Sequence, residues 1–150
     1  MPKIQIYRAA LRRAGVLRVS DVEAGGSHEA ARVLHAFLLD APAERFAVLY
    51  LNNQNAIIGV ECVAMGGGSQ CLVTPPETFR GAIVAGATRI IIGHNHPSGD
   101  PMPSPDDIFM TENIVAAGKV VGIVVLDHIV VTRDPSRWSS ILDRYPEIFE

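Results

Sequence analysis

The chain has 150 residues, enough for one ordinary domain whose core needs no disulfide or metal staples. Hydrophobic residues make up 48% and charged residues 19%, which excludes a disordered chain. The net charge of −3, with histidines neutral, shows no basic excess that would announce a nucleic-acid partner. Cys62 and Cys71 stand outside any CxxC pairing, which fits a reducing compartment and argues against a cysteine-based zinc site. The N-terminus has no apolar h-region, and no apolar run approaches a membrane span, so a soluble cytoplasmic protein with no membrane partner is expected.

Residues 1–26 are basic, with Lys3, Arg8, Arg12, Arg13 and Arg18, and end at Gly25-Gly26. Ile4, Ile6, Val16, Leu17 and Val19 give them apolar content to bury, so they are expected to form an appendage, a strand or short helix on the edge of a domain spanning 27–150. Ser27 is placed to cap a first helix with Glu29 in its first turn, and Ala30, Val33, Leu34, Phe37 and Leu38 recur at helical spacing. Pro42 closes that helix. Phe46 to Leu51 reads as a central strand and Ala56 to Met65 as its hairpin partner, across the turn Asn52 to Asn55. Gly66 to Gly68 ends the hairpin as a flexible turn, since no Gly-Lys-Ser/Thr follows to make a phosphate loop, and Cys71-Leu72-Val73 is a short extended piece.

Thr74-Pro75-Pro76-Glu77 is helix-start grammar, a capping threonine with glutamate three residues on, for a helix to about Ala85 stopped by Gly86. Arg89 to Gly93 is a short buried strand, and 94–103 a polar, proline-rich loop. Ser104-Pro105-Asp106-Asp107 repeats the helix start, with a helix to about Ala117 stopped by Gly118. Val120 to Leu126 and Ile129 to Thr132 read as two strands broken at Asp127-His128, and Trp138, Tyr145 and Phe149 as a tail that packs back onto the body. The order suits an α/β (α+β) fold with a mixed sheet flanked by helices.

The stretch Gly93 to Asp107 carries the chemistry. In extended backbone residues i and i+2 point to the same side, so His94 and His96 can reach one metal ion together. The loop returns to a helix start bearing Asp106 and Asp107. Imidazole plus carboxylate suits a catalytic zinc, which uses three protein ligands and leaves a fourth position for water. Each feature alone has a plain alternative: either aspartate can simply complement the helix dipole, and an aspartate at the third helical position can complete a capping box with Ser104. Their combination at one spacing does not.

His94-x-His96, seven residues, Ser104, two residues, Asp107 resembles the metal motif of the JAMM (MPN+) metalloproteases. The wider string His-Asn-His-Pro-Ser-Gly-Asp-Pro-x-Pro-Ser-x-x-Asp resembles the RadC-like branch of that superfamily, and the likeness runs from about Glu44 to about Val131, including Leu126 to Val130. It implies a JAB/MPN (cytidine-deaminase-like) arrangement, Zn2+ held by His94, His96 and Asp107, and Ser104 positioning or stabilising the oxyanion. It further implies hydrolysis of a peptide or isopeptide bond in a peptide or protein substrate by a zinc-activated water, with an upstream glutamate as general base. Glu44, just before the Phe46 strand, fits that role first and Glu61, the sole charge in the Ala56 to Met65 strand, second; Glu77 is better read as the partner of Thr74.

Asp127-His128 is either a source of a supporting hydrogen bond, even a rival ligand, or a polar pair between strands. His28 and His35 carry no ligand pattern. The alternative function is a non-catalytic module with a DNA-repair-associated or protein-interaction role. RadC-like proteins commonly carry a helix-hairpin-helix region ahead of the domain, and only 43 residues precede Glu44 here. The basic stretch Lys3 to Arg18 is the one feature favouring nucleic acid. A zinc deaminase would need a P-C-x-x-C signature that is missing. Oligomeric state is not legible at this level.

Overall fold

The computed structural model describes residues 1–20, 22–66 and 72–150. Helix α1 (Ser27–Leu38) leads into the hairpin of β1 (Arg45–Leu51) and β2 (Ile57–Met65). Then come α2 (Pro75–Ala85), β3 (Arg89–Asn95), α3 (Pro105–Val121), β4 (Val124–Val131), β5 (Trp138–Ser140), α4 (Ile141–Arg144) and a 3-10 turn over Pro146–Phe149. The strands form one mixed five-stranded sheet in the order β2-β1-β3-β4-β5. β1 is antiparallel to both β2 and β3, β3 and β4 are parallel with α3 as their crossover, and β5 returns antiparallel to β4.

Period-two alternation on β1 decides which layer each side chain joins. Phe46, Val48 and Tyr50 face α2 and α3 and pack with Phe79, Ile92 and Ile114, while Leu49 and Leu51 face α1 and pack with Leu34, Ile91 and Ile129. The sheet is therefore buried on both faces, which is why β1 reads as an unbroken apolar run. Gly93 lets α1 come close: a methyl group there would lie 2.6 Å from Leu34 Cδ1 and 3.1 Å from the Ile129 carbonyl.

Five expectations need correction. Residues 1–16 carry no helix or strand and lie exposed, including Ile4, Ile6 and Val16. The apolar stripe of α1 is already used on the sheet, so of the segment before it Leu17 and the buried Ala24 join that layer, and regular pairing starts where Ala24 N–H donates to Asn55 O at 2.9 Å and Ile57 N–H to Val22 O at 2.8 Å. Ser27 is the first residue of α1 rather than its cap; its hydroxyl is drawn 3.1 Å to Asp127, and extended Gly26 takes the cap position. β3 does not stop at Gly93 but continues through His94, which pairs with both β1 and β4, and Asn95, which pairs with β4, and both side chains find partners in the interior.

Helix α3 passes through Gly118 and ends at Gly122, whose φ of 80° is the left-handed stop. Gly118 is there for close contact with Ile123 and Val125 instead. Residues 120 and 121 thus belong to α3, and β4 is one strand that runs through Asp127-His128 because both polar side chains are satisfied inside. Of the tail, Trp138 meets His28 edge-on, Phe149 packs on the α2/α3 layer, and Tyr145 stays 38% exposed. The readings that fall on Gly67, Gly68 and Cys71 lie outside the described residues. Among the described residues no helix is long and apolar enough to cross a membrane.

Candidate metal centre

Local sequence brings the site residues to one end of the sheet. His94 is held at the end of β3, opposite Phe46 on β1 and Val130 on β4. His96, two residues on, projects to the same side, with its N–H donated to Val131 O at 2.9 Å. A tight turn follows, closed by Gly99 N–H to His96 O at 3.1 Å, with Gly99 at a φ of 87° that favours glycine. The chain then enters α3 through a complete capping box: Ser104 Oγ accepts from Asp107 N–H at 3.1 Å, and Asp107 Oδ2 accepts from Ser104 N–H at 2.8 Å. Pro105, with no N–H to leave unpaired, is the first helical residue.

Three potential ligand atoms converge. His94 Nε2 lies 2.9 Å from His96 Nε2, and Asp107 Oδ2 lies 3.3 Å from the first and 3.4 Å from the second. Ligands about 2.0–2.1 Å from a tetrahedral zinc are about 3.3 Å apart, so the triangle has the size such an ion requires. The donor chemistry fits as well: two imidazole nitrogens facing each other beside a carboxylate are relieved of mutual conflict by a shared cation. Glu44, only 7% exposed, stands behind them with Oε1 3.7 Å from His96 Nε2. Glu44, His94 and His96 also form a group whose ligand atoms fall within 4.8 Å of one another, so Glu44 is an alternative third donor. Asp107 is nearer, and it approaches both histidines. The site opens into a cleft of about 570 Å³ whose lining includes Pro42, Glu44, His96, Met102, Ser104 and Asp107.

The electrostatics follow from this crowding. Burial alone would raise the Asp107 carboxyl, but hydrogen bonds from His94 and His96, the charge on His94 and the Ser104 N–H hold it far below the usual carboxylate range. Burial alone would depress His96, but Asp107, the Asp100 carbonyl and the charge of Glu44 lift it above the ordinary imidazole value. His96 Nδ1 faces Asp100 O at 2.8 Å. A carbonyl only accepts, so Nδ1 carries the proton and Nε2 turns to the site.

The Asp127-His128 pair supports the site from both faces of β4. His128 is fully buried; its Nε2 lies 2.8 Å from His94 Nδ1 and its Nδ1 2.6 Å from Thr111 Oγ1. Burial, with the His94 charge acting the same way, holds its pKa well below the ordinary imidazole value, so the ring is neutral. Phe46 stacks on His94 with centroids 6.1 Å apart and meets His128 edge-on at 5.5 Å, fixing both rings; burying such a side chain contributes about 1.5–3 kcal/mol. Asp127 points to the other face, where it accepts from Ser27 Oγ, Ser140 Oγ and Leu142 N–H at 3.1, 2.7 and 3.1 Å. It thereby ties α1 and α4 to the strand that carries His128.

The remaining candidates fall elsewhere. Glu61 sits opposite Val48 on β2, accepts a hydrogen bond from Tyr50 Oη, and does not line the cleft. Asp106 is exposed, while Asp107, one residue on, is buried. His28 contacts Trp138, and His35 Nε2 meets Arg133 O at 3.0 Å, both away from the cleft. Thr111 was not singled out in the sequence; its signal is position i+4 from Asp107 on the buried side of α3.

Comparison with known proteins accords with this geometry. A model of the RadC-like JAB domain matches residues 25–144. A UPF0758 protein of Symbiobacterium thermophilum is 51% identical over 88 residues, covering 59% of this chain and 38% of that protein. A second, of Picosynechococcus sp., is 42% identical over 108 residues, 69% of this chain and 44% of that protein. A third, of Methanosarcina mazei, is 44% identical over 88 residues, 59% of this chain and 38% of that protein. The chain thus spans less than half the length of these curated relatives. With that match and that geometry, the chain belongs to the RadC-like JAB domain family.

Proposed function

We propose that this chain is a zinc-dependent hydrolase that cleaves an amide bond, a peptide or isopeptide bond, in a peptide or protein. The observation that supports the reading best is the triangle of His94 Nε2, His96 Nε2 and Asp107 Oδ2, with edges of 2.9–3.4 Å, open to a cleft that Glu44 also lines. In this reading His94, His96 and Asp107 hold the ion. When bound, zinc supplies Lewis acidity, lowering the pKa of water to roughly 7 and polarising a carbonyl. Glu44, 3.7 Å from His96 and not itself required as a third donor, takes the proton of the attacking water and returns it to the leaving amine. Ser104 Oγ accepts from Asp107 N–H, so its own hydroxyl proton remains available to the oxyanion.

Elemental analysis of protein purified without added metal tests the ligand set. Near-stoichiometric zinc in the wild type and a large loss in His94→Ala are expected; equal zinc in both removes the site. Glu44→Gln should retain zinc and fold but lose about 10²–10⁴-fold in turnover of a fluorogenic peptide pool, the usual scale for a general base. Glu61→Gln should keep both. A zinc-loaded wild type with no amide hydrolysis on peptide or isopeptide probes would favour the non-catalytic alternative.

A further inference from the structure

Beside His96, Ser104 and Asp107, two loop segments line the cleft, residues 42–44 ahead of β1 and members of 97–102 between β3 and α3. A site that takes an extended peptide as an added strand needs a run of free backbone N–H groups. The second segment has none. Pro97, Pro101 and Pro103 carry no N–H. Gly99 N–H donates to His96 O at 3.1 Å, Asp100 N–H to Ser98 Oγ at 3.4 Å, Met102 N–H to Asp100 Oδ1 at 3.0 Å and Ser104 N–H to Asp107 Oδ2 at 2.8 Å, leaving only Ser98. On the first segment Pro42 again lacks an N–H, and Ala43 O accepts from Asn95 Nδ2 at 3.1 Å. Recognition in this cleft therefore falls to side chains.

Those side chains are of two main kinds. Pro42, Pro97 and Met102 are apolar, and Met102 is 50% exposed. Glu44, Asp100 and Asp107 are acidic, and among the described residues no lysine or arginine lines the cleft, so a divalent ion would not neutralise it. Glu44 and Asp107 stand 3.7 and 3.4 Å from His96 and belong to the candidate centre. Asp100 carries the remaining charge. Its position is fixed twice, by the Met102 N–H on Oδ1 and by His96 Nδ1 on its carbonyl at 2.8 Å. A carboxylate has about four acceptor sites, so one N–H orients it and leaves room for a charged donor.

We propose that the cleft selects a substrate with a lysine or arginine side chain beside the scissile amide, its apolar stem along Pro42, Pro97 and Met102 and its cationic head on the Asp100 carboxylate. Long basic side chains bury their stems on apolar surface and keep the charge at a wet rim. A cleft lined by one sign of charge also concentrates the opposite sign. A neutral side chain of the same length loses the head contact, and an acidic one is repelled. The scissile amide rests on the hydrolase reading above; recognition of the basic side chain does not.

The test uses the full chain with chelator, so that nothing is cleaved, in NMR titrations with capped tripeptides Ala-X-Ala in which X is lysine, norleucine or glutamate. Lysine should bind about 3–5-fold tighter than norleucine at low salt, the upper range for an exposed ion pair. The shifts should centre on Ser98 to Met102, and the ratio should fall toward one in about 0.5 M NaCl, where exposed charges are screened. Asp100→Asn keeps an acceptor for the Met102 N–H and removes the charge; it should lose the lysine preference with norleucine affinity unchanged. Met102→Ser should weaken lysine and norleucine alike. Zinc-loaded wild type should rank a peptide library in the same order by kcat/KM. Norleucine or glutamate binding as tightly as lysine, no lysine-dependent shift at Ser98 to Met102, or an undiminished preference in Asp100→Asn overturns the proposal. A lysine preference with no cleavage of any peptide leaves the selectivity standing and removes the hydrolase reading; cleavage without the preference does the reverse.

Discussion

Adding one methyl group at Gly118 probes how α3 is seated against the sheet. In Gly118→Ala the new carbon would lie 2.5 Å from the Ile123 carbonyl oxygen, 3.1 Å from Val125 Cγ2 and 3.3 Å from Phe79 Cζ. The Ile123 carbonyl is backbone and cannot rotate aside, and Ile123 N–H is itself bonded to Gly118 O at 3.0 Å, so helix end and strand start must move together. Alanine gains about 1 kcal/mol of helix propensity over glycine. Overpacking of a filled interior costs about 1–3 kcal/mol, and a backbone contact this short belongs at the upper end. The net loss is then about 2 kcal/mol, or about 4–8 °C in Tm for a chain of this size. The assay is urea unfolding followed by circular dichroism, beside Zn2+ affinity, because α3 carries Ser104, Asp107 and Thr111 and a shifted helix displaces all of them. Stability equal to or above wild type, with unchanged affinity, would refute the argument that Gly118 is a packing glycine.

Two further expectations separate roles that coincide in one side chain. Ser104→Ala should cost about 1 kcal/mol as a lost N-cap, whereas Ser104→Asn, an equally good cap, should keep the stability and still lower peptide turnover if the hydroxyl serves the oxyanion; equal turnover in wild type and the asparagine variant leaves Ser104 a cap only. For Asp127, burial outweighs the donors around it and raises its carboxyl pKa in the folded state. The folded protein therefore binds more protons than the unfolded one just above the ordinary carboxylate range, and this contribution is full below that range and lost as pH rises through the folded value. The stability margin of wild type over Asp127→Asn should narrow between pH 4 and pH 7 in urea unfolding, and a margin that widens would reverse the sign of the argument.

Features with a local cause were readable from the chain alone. Both capping boxes, Thr74 with Glu77 and Ser104 with Asp107, lie within one turn of helix, and their grammar carries over directly to the observed starts of α2 and α3. The one-sided placement of His94 and His96 is a property of extended backbone and needs no tertiary information. The mixed sheet flanked by helices follows from the order of apolar periodicities.

What the linear pattern misjudged was polarity inside elements. His94-Asn95 and Asp127-His128 read as loop and break because a lone polar side chain in a buried strand is costly. The fold removes that cost by supplying partners 34 residues away for His94 and 13 and 100 residues away for Asp127. Gly118 reads as a helix stop because close contact with Ile123 and Val125 is invisible until β4 packs on α3. The order of Glu44 and Glu61 around the cleft is likewise tertiary. Register places Phe46 against His94 and so carries Glu44 to His96, while it places Glu61 opposite Val48 beneath α2. Thr111 is the extreme case: nothing in its helical sequence marks it, and it meets His128 at 2.6 Å only once β4 packs beside α3, because a hydrogen bond between elements exists only when the fold has put both partners in place.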